Sequence, residues 1–311
     1  MSHSCALLDC PMKPKSYYEG LLPQPSLELA PIPKRIHQIY IGRSADELAP
    51  EMQANIQHLR ELNPEWEYRL WDEEAIESFV KEVYGEGVYH YYKMISPNYR
   101  AAQSDFVRYL LIYHFGGVYL DVKSTFYKPL DEVLTERDQF ILYHWDNEGE
   151  GCYKGFGFFK DLPLTEFPYG EYHQGFVVGR AKHPILHAVI AEAMCRLDRY
   201  NPFTTGVGLL GVLRTTGPIM YSLTIEEAKR KLPEEQYRHI RSIEVLSGRI
   251  SIYDDAGAFA HRKKLSNYHN QLAAVSLNGS ERYTHYLHYF FYARWAMRVL
   301  MDKVNQRLHK G

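Results

Sequence analysis

Between residues 103 and 124 the chain reads QSDFVRYLLIYHFGGVYLDVKS, a strongly apolar run with polar residues only near its two ends. The pattern predicts a buried helix from Ser104 to Phe115, stopped by Gly116-Gly117. A short strand, Val118–Leu120, should follow and carry Asp121 and Lys123 to a sheet edge. Upstream, Arg35–Ile41 alternates apolar and polar with β-branched residues and reads as a first strand. Met52, Ile56 and Leu59 form one stripe of a helix over Ala45–Leu62, which Asn63-Pro64 breaks. Trp66–Trp71 is a second strand, and Asp72 caps a helix that runs to about Val83. Strand alternating with helix argues for parallel strands with helices on the faces of the sheet. Ligands in such sheets collect beyond the carboxyl ends of the strands. Tyr40, Trp71-Asp72 and Asp121 all fall there.

Beyond Asp121 the alternation loosens. Gln139–His144 and Gln174–Gly179 read as strands, and Pro184–Leu197 as a helix. Asp146–Pro168, rich in glycine and aromatics, reads as a long loop that could cover a site. Gly206–Gly217 is a glycine-rich approach to a helix from Pro218 to Leu232, with the proline suited to the first turn. His239–Leu246 and Arg249–Tyr253 read as short strands. The tail from Tyr283 to Lys310 is aromatic and then basic. Residues 1–33 hold six prolines without strand or helix period and read as an extended or disordered arm. No internal repeat is present.

At 311 residues the chain can bury a large α/β core. A net charge of −2 gives no electrostatic case for nucleic acid as partner. No apolar stretch is long enough to span a bilayer, so the chain is expected to be cytoplasmic, and the basic aromatic tail reads either as a core-packed last helix or as a peripheral contact with a membrane. Cys5, Cys10, Cys152 and Cys195 lack metal spacing and read as reduced thiols. The 26 tyrosines suit both sugar contacts and ordinary core edges.

Two charged pairs stand out. Asp105 and Arg108, three apart, share a helix face. They are either a plain ion pair or, on a helix otherwise buried, groups held for a ligand. Asp121 and Lys123, two apart on an extended segment, should point to one side of the sheet. They read either as a salt bridge at a strand end or as a diphosphate site with the ammonium on the phosphate oxygens. Tyr40 could pack in the core or stack on a base. His285 and His288 could be solvated or could touch metal or phosphate.

Five stretches, in order, resemble the DXD-type glycosyltransferases of family 32: Ile32–Gly42 (IPKRIHQIYIG), Asn63–Asp72 (NPEWEYRLWD), Ser104–Tyr109 (SDFVRY), Gly116–Asp121 (GGVYLD) and Thr216–Pro218 (TGP). The resemblance implies an α/β fold of the GT-A type: a Rossmann-like mixed sheet with flanking helices and a C-terminal helical tail. It divides the chain into an arm over 1–31 and one glycosyltransferase domain over 32–311. It implies transfer of a hexose from a nucleotide-sugar donor, a UDP-sugar ahead of a GDP-sugar, to a glycan acceptor with retention at the anomeric carbon, in surface polysaccharide or glycan synthesis. By the same resemblance Tyr40 meets the nucleobase, Asp105 and Arg108 hold the ribose and sugar hydroxyls, and Gln174 faces the sugar. His285, His288 and Trp295 match a donor-binding tail motif, with Arg294 where serine is usual. Asp121 matches the first Asp of the DXD motif and would be a ligand of Mn2+ or Mg2+. Lys123 stands where the second Asp belongs. Replacing a carboxylate by an ammonium removes an oxygen ligand and adds a repelling charge. The catalytic set so implied is Asp121, Lys123 and Arg108, with the ammonium neutralising the leaving diphosphate in place of a metal. The alternatives are a degenerate relative that binds nucleotide or glycan without turnover, and a hydrolase of the donor.

Overall fold

The computed structural model describes residues 13–42, 48–147, 153–234, 238–239, 271–283 and seven scattered positions between 286 and 301. Its centre is a six-stranded mixed sheet in the order β2-β1-β3-β5-β4-β6. The strands are β1 (Arg35–Ile39), β2 (Glu67–Trp71), β3 (Gly117–Leu120), β4 (Phe140–Leu142), β5 (Phe176–Gly179) and β6 (Arg238–His239). The β2-β1-β3 half is parallel, as the alternation in the sequence requires. β5 then runs antiparallel to both β3 and β4, while β4 and β6 are parallel. This is the mixed α/β sheet that the family resemblance implies, whereas the strand-helix alternation alone argues only for its parallel half.

The helices are α1 (Lys15–Glu19), α2 (Pro50–Leu62), α3 (Glu73–Phe79), α4 (Gly85–Met94), α5 (Arg100–Phe115), α6 (Leu130–Val133), α7 (Pro184–Asp198), α8 (Gly208–Thr215) and α9 (Pro218–Lys229). Side chains alternate across the sheet as strand geometry demands. Ile36, Val118, Leu120, Phe176 and Val178 enter one apolar core, with Leu59 of α2 and Trp66. Ile39, Tyr119 and Val177 enter the other, with α5, α7 and α9. Both faces are covered, which is why β3 and β5 are apolar at every position.

The structure departs from the sequence reading at several points. The arm is not extended throughout: α1 forms inside it, and Tyr18 is 1% exposed. A π-helical turn over Val80–Tyr84 leads directly from α3 into α4, a helix not foreseen. The glycine-rich segment after Gly206 forms α8. β3 ends at Leu120, so Asp121 and Lys123 do not lie on extended chain. They sit in a tight turn closed by a 2.7 Å bond from the Ser124 N–H to the Asp121 carbonyl. The strand expected over Arg249–Tyr253, most of His239–Leu246, and the tail residues His285, His288, Arg294 and Trp295 lie outside the described residues. Among the described residues, no helix is long and apolar enough to cross a membrane, and Cys195 is a free, buried thiol.

Candidate active site

α5 places two charges in the interior. Asp105 and Arg108 lie one helical turn apart, and their side chains are only 5% and 6% exposed. The helix ends where Gly116 turns left-handed at φ 67° and its N–H caps the Ile112 carbonyl at 2.9 Å. Gly117, at φ 100°, starts β3 against β1, and the strand delivers Asp121 back toward the N-terminal half of α5.

One guanidinium gathers the site. The Arg108 Nη2 lies 3.2 Å from Asp105 Oδ1 and 3.2 Å from Asp121 Oδ1. Its Nε donates to the Ser104 carbonyl at 3.2 Å and its Nη1 to the Gln174 carbonyl at 2.8 Å. The guanidinium also lies 4.6 Å over the Tyr119 ring, whose hydroxyl donates to Asp121 Oδ1 at 2.8 Å. Gln174 donates its amide to Asp105 Oδ1 at 3.0 Å, and Thr216 donates its hydroxyl to Asp105 Oδ2 at 3.1 Å. Tyr109, stacked on Tyr221 with ring centroids 5.4 Å apart, hydrogen-bonds the Gln174 side-chain oxygen and lies 2.9 Å from the Thr216 carbonyl.

These surroundings separate the two aspartates. Burial pushes the Asp105 carboxyl up to about 6 and the Asp121 charge adds to it, although Arg108, Thr216 and Gln174 oppose the rise. Burial would raise Asp121 as well, but Arg108, Lys123 and the Tyr119 hydroxyl together hold it below the ordinary carboxylate value. Asp121 is also the more open of the two, its side chain 28% exposed against 5% for Asp105.

The turn carrying Asp121 and Lys123 is pinned from two elements. Asn55 of α2 donates its amide to the Ser124 carbonyl at 2.7 Å and the Val122 carbonyl at 3.3 Å. Gln38 of β1 donates to the Asp121 carbonyl at 3.2 Å, and is itself held by the Tyr68 hydroxyl at 2.7 Å. Asn55 and Gln38 are buried polar residues, and their only sequence signal is an amide in an otherwise apolar stripe.

Asp105, Arg108, Asp121, Lys123 and Gln174 all line one cavity of about 480 Å3. Tyr40 is not among its lining residues. It is half-buried at the end of β1, where its N–H donates to the Trp71 carbonyl at 2.9 Å. Trp71 belongs to the core and donates its indole N–H to His37 Nδ1 at 3.2 Å, and Asp72 caps α3 by accepting from Ala75 N–H at 2.9 Å. Two further residues of the wall, Glu171 and His173, were not singled out from the sequence, because the loop holding them shows no periodicity. Pro218 and Leu213 show that α8 and α9 close part of the wall.

Among the described residues, a divalent ion fits this donor set poorly. Asp121 Oδ1 already takes Tyr119 and Arg108, two cations flank the carboxylate, and hard cations ask for several oxygen ligands. Among the described residues no cluster of three or more His, Cys, Asp or Glu side chains could hold a metal.

Residues 50–140 match the family model described as the glycosyltransferase sugar-binding region containing the DXD motif. That span includes Asp105, Arg108, Asp121 and Lys123. Inositol phosphoceramide mannosyltransferase 1 of Schizosaccharomyces pombe is 31% identical over 225 residues, covering 68% of this chain and 58% of that one. Mannosyl phosphorylinositol ceramide synthase SUR1 of Saccharomyces cerevisiae is 32% identical over 114 residues, 36% of this chain and 27% of its own. The chain thus spans about half to three-fifths of the length of the three S. pombe mannosyltransferases it matches. The solved PaToxG glycosyltransferase aligns over 71% of this chain and 76% of its own, at TM-score 0.45 and 17% identity. The chain thus contains the sugar-binding region of the DXD-type glycosyltransferases, over residues 50–140, and is similar over a longer stretch to S. pombe mannosyltransferases.

Proposed function

We propose that the chain transfers a hexose from a nucleotide-sugar donor to a glycan or glycolipid acceptor, with retention and without a metal ion. The observation that carries this reading is the array of Asp105, Arg108 and Asp121 on one wall of a cavity that Lys123 also lines. Departure of the sugar leaves an oxocarbenium-like centre and builds negative charge on the diphosphate. The enzyme's main task is then to aim positive charge at the leaving oxygens. Lys123 supplies that charge. Asp121, the more open carboxylate, accepts from a sugar hydroxyl, and Gln174 faces the same ring. Arg108 fixes the distance between the two aspartates. On the same face, the departing phosphate takes the proton of the acceptor hydroxyl, so no enzyme nucleophile is needed.

The sequence reading puts UDP-sugars first, whereas the names of the relatives point to mannose as the sugar. Melting-temperature shifts with UDP-glucose, UDP-galactose and GDP-mannose, each with Mn2+ or with EDTA, decide between them. At least one donor should stabilise the protein equally under both conditions. Lys123→Ala should then lower turnover by about 10²–10³-fold, the range for loss of one group that stabilises developing charge. Unchanged turnover of that variant in metal-free buffer would remove Lys123 from the mechanism. A second reading, a nucleotide- or glycan-binding protein without turnover, draws support from Lys123 standing in place of the second Asp of DXD. It predicts stabilisation by donor with neither transfer nor sugar release. Release unaffected by any acceptor would instead mark a donor hydrolase.

A further inference from the structure

The cavity has a second polar corner that the reaction described above does not use. Glu171, 5% exposed, accepts the Trp145 indole N–H on Oε1 at 2.7 Å, while its Oε2 is buried and has no hydrogen-bond partner. His173, also 5% exposed, stands edge-on to the Trp145 ring at 4.2 Å between centroids, and its Nδ1 is likewise buried without a partner. Trp145, Glu171 and His173 line the same cavity as Asp121 and Lys123. Buried polar atoms are almost always paired, so two orphans in one cavity wall, each on a residue that touches Trp145, point to groups kept for a ligand.

The corner is also rigidly built. Gly157, left-handed at φ 80°, lies so close that a Cβ there would come within 2.8 Å of Trp145 Cδ1 and 3.1 Å of Glu171 Cγ. The Glu171 N–H donates to the Gly157 carbonyl at 2.8 Å. Phe156 packs against Trp145 at 5.5 Å, and Tyr153 at 5.1 Å.

We propose that Trp145, Glu171 and His173 form a second carbohydrate subsite, which seats a hydroxylated six-membered ring of the acceptor beside the donor site. The proposal rests on the transferase reading. Three features of the corner select a neutral polyol over a phosphate. Burial raises the Glu171 carboxyl to about 8 and the Asp105 charge adds to it, so at neutral pH this group is an O–H donor. Burial lowers His173 to about 3, helped by the charges of Arg108 and Lys123, so its imidazole is neutral. A neutral carboxylic acid and a neutral imidazole together offer a donor and an acceptor, which is what sugar hydroxyls require, and no net charge that would hold an anion. The indole and the half-exposed Phe156 ring supply apolar faces for the C–H side of a pyranose or cyclitol. The Lys123 ammonium marks the part of the cavity that takes the diphosphate, leaving this corner for the second ring.

The test is binding of methyl α-D-mannopyranoside and myo-inositol to the full chain, read by saturation-transfer NMR with UDP or GDP at saturation. At least one ring probe should bind together with the nucleotide. Glu171→Leu, close in size but unable to hydrogen-bond, should weaken that binding at least fivefold, whereas Glu171→Gln, which keeps an N–H donor at Oε2 and the acceptor for Trp145, should retain most of it. Melting curves of both variants separate loss of binding from loss of fold. If neither probe binds the wild-type chain alongside nucleotide, or if both variants bind as the wild type does, the subsite is wrong. Competition between the ring probe and an intact nucleotide-sugar, but not the free nucleotide, would hand the corner to the donor sugar and also overturn the proposal. Failure of every nucleotide-sugar to stabilise the protein would strike the transferase reading instead, an outcome read in a separate measurement.

Discussion

Arg108 answers two carboxylates with one guanidinium, at 3.2 Å to each. Taking such a triad out of water is expensive, and a well-packed apolar trio is often at least as stable. Its place on a cavity wall, and not in the closed core, is what gives it a use. Glu171 carries a similar burden that can be measured through pH. In the folded chain its carboxyl holds a proton up to about 8, against 4.5 for an ordinary glutamate. Between those values the folded state binds more protons than the unfolded one, so stability falls as pH rises. Asp105, raised from 3.8 to about 6, acts in the same direction over its own lower window. His173 and His37 act in the opposite sense. Their folded values, about 3 and about 4, lie below 6.5, so stability is lost as pH falls below 6.5 and is fully present above it. Of these four groups only Glu171 still titrates between about pH 7.5 and 9, above the range in which unfolded imidazoles release their protons. Urea unfolding should therefore show the wild type losing stability across that window, and Glu171→Gln should flatten the slope. Equal slopes for the two proteins would mean that the carboxyl is already ionised at neutral pH.

At the scale of elements, the join between α5 and β3 decides whether the site forms. Gly116 and Gly117 are both left-handed, and Gly117 meets β1 so closely that a Cβ would lie 2.5 Å from the Arg35 carbonyl. Gly85, at the start of α4, is also left-handed at φ 74°, but no atom comes within 4 Å of its would-be Cβ. Gly117→Ala should therefore cost about 3 kcal/mol or more, and Gly85→Ala about 1–2, since only the first adds a backbone collision to the strained φ. Equal costs in chemical denaturation would mean that β1 and β3 can part locally. The glycine pair, the apolar run before it and the Asp105–Arg108 spacing made this join legible in the sequence. The turn after Leu120 was not, because an Asp-Val-Lys-Ser stretch continues the strand pattern, and what ends the strand is the grip of Asn55 and Gln38 from other elements. α4 and α8 were missed for a related reason: both carry glycines, which are poor helix formers, and both are held by tertiary packing, with Val88, Tyr91 and Tyr92 of α4 and Val212 of α8 buried in the core. Glu171 and His173 follow an aperiodic loop, where only three-dimensional proximity reveals them.

At the scale of the molecule, distant parts of the chain converge on the carboxyl end of α7. Asn278 donates to the Leu197, Asp198 and Tyr200 carbonyls at 3.0, 2.9 and 3.0 Å, and Ser276 donates to Leu197 at 2.9 Å, which satisfies carbonyls that a helix end leaves open. The same segment fastens the start of α5, since the Tyr99 hydroxyl donates to the Ala273 carbonyl at 2.6 Å. From the other side, the Asp198 carboxylate receives the Tyr18 hydroxyl of α1 at 3.0 Å, the Tyr91 hydroxyl of α4 at 2.8 Å and the Lys13 ammonium at 3.0 Å. Burial, followed by the Asp198 charge, raises both phenols and keeps them as donors. Asp198→Ala would leave two largely buried hydroxyls without an acceptor, a loss of roughly 2–4 kcal/mol taken as two unsatisfied groups. Asp198→Asn, which keeps one acceptor oxygen, should lose about half of that. The arm should respond most. Limited proteolysis should cut between residues 13 and 30 faster in Asp198→Ala than in the wild type, with Asp198→Asn between them, while cleavage within α5 stays slow in all three. Unchanged cutting of the arm in Asp198→Ala would mean that the apolar burial of Tyr18 against α7, and not the shared carboxylate, holds this part of the chain to the core.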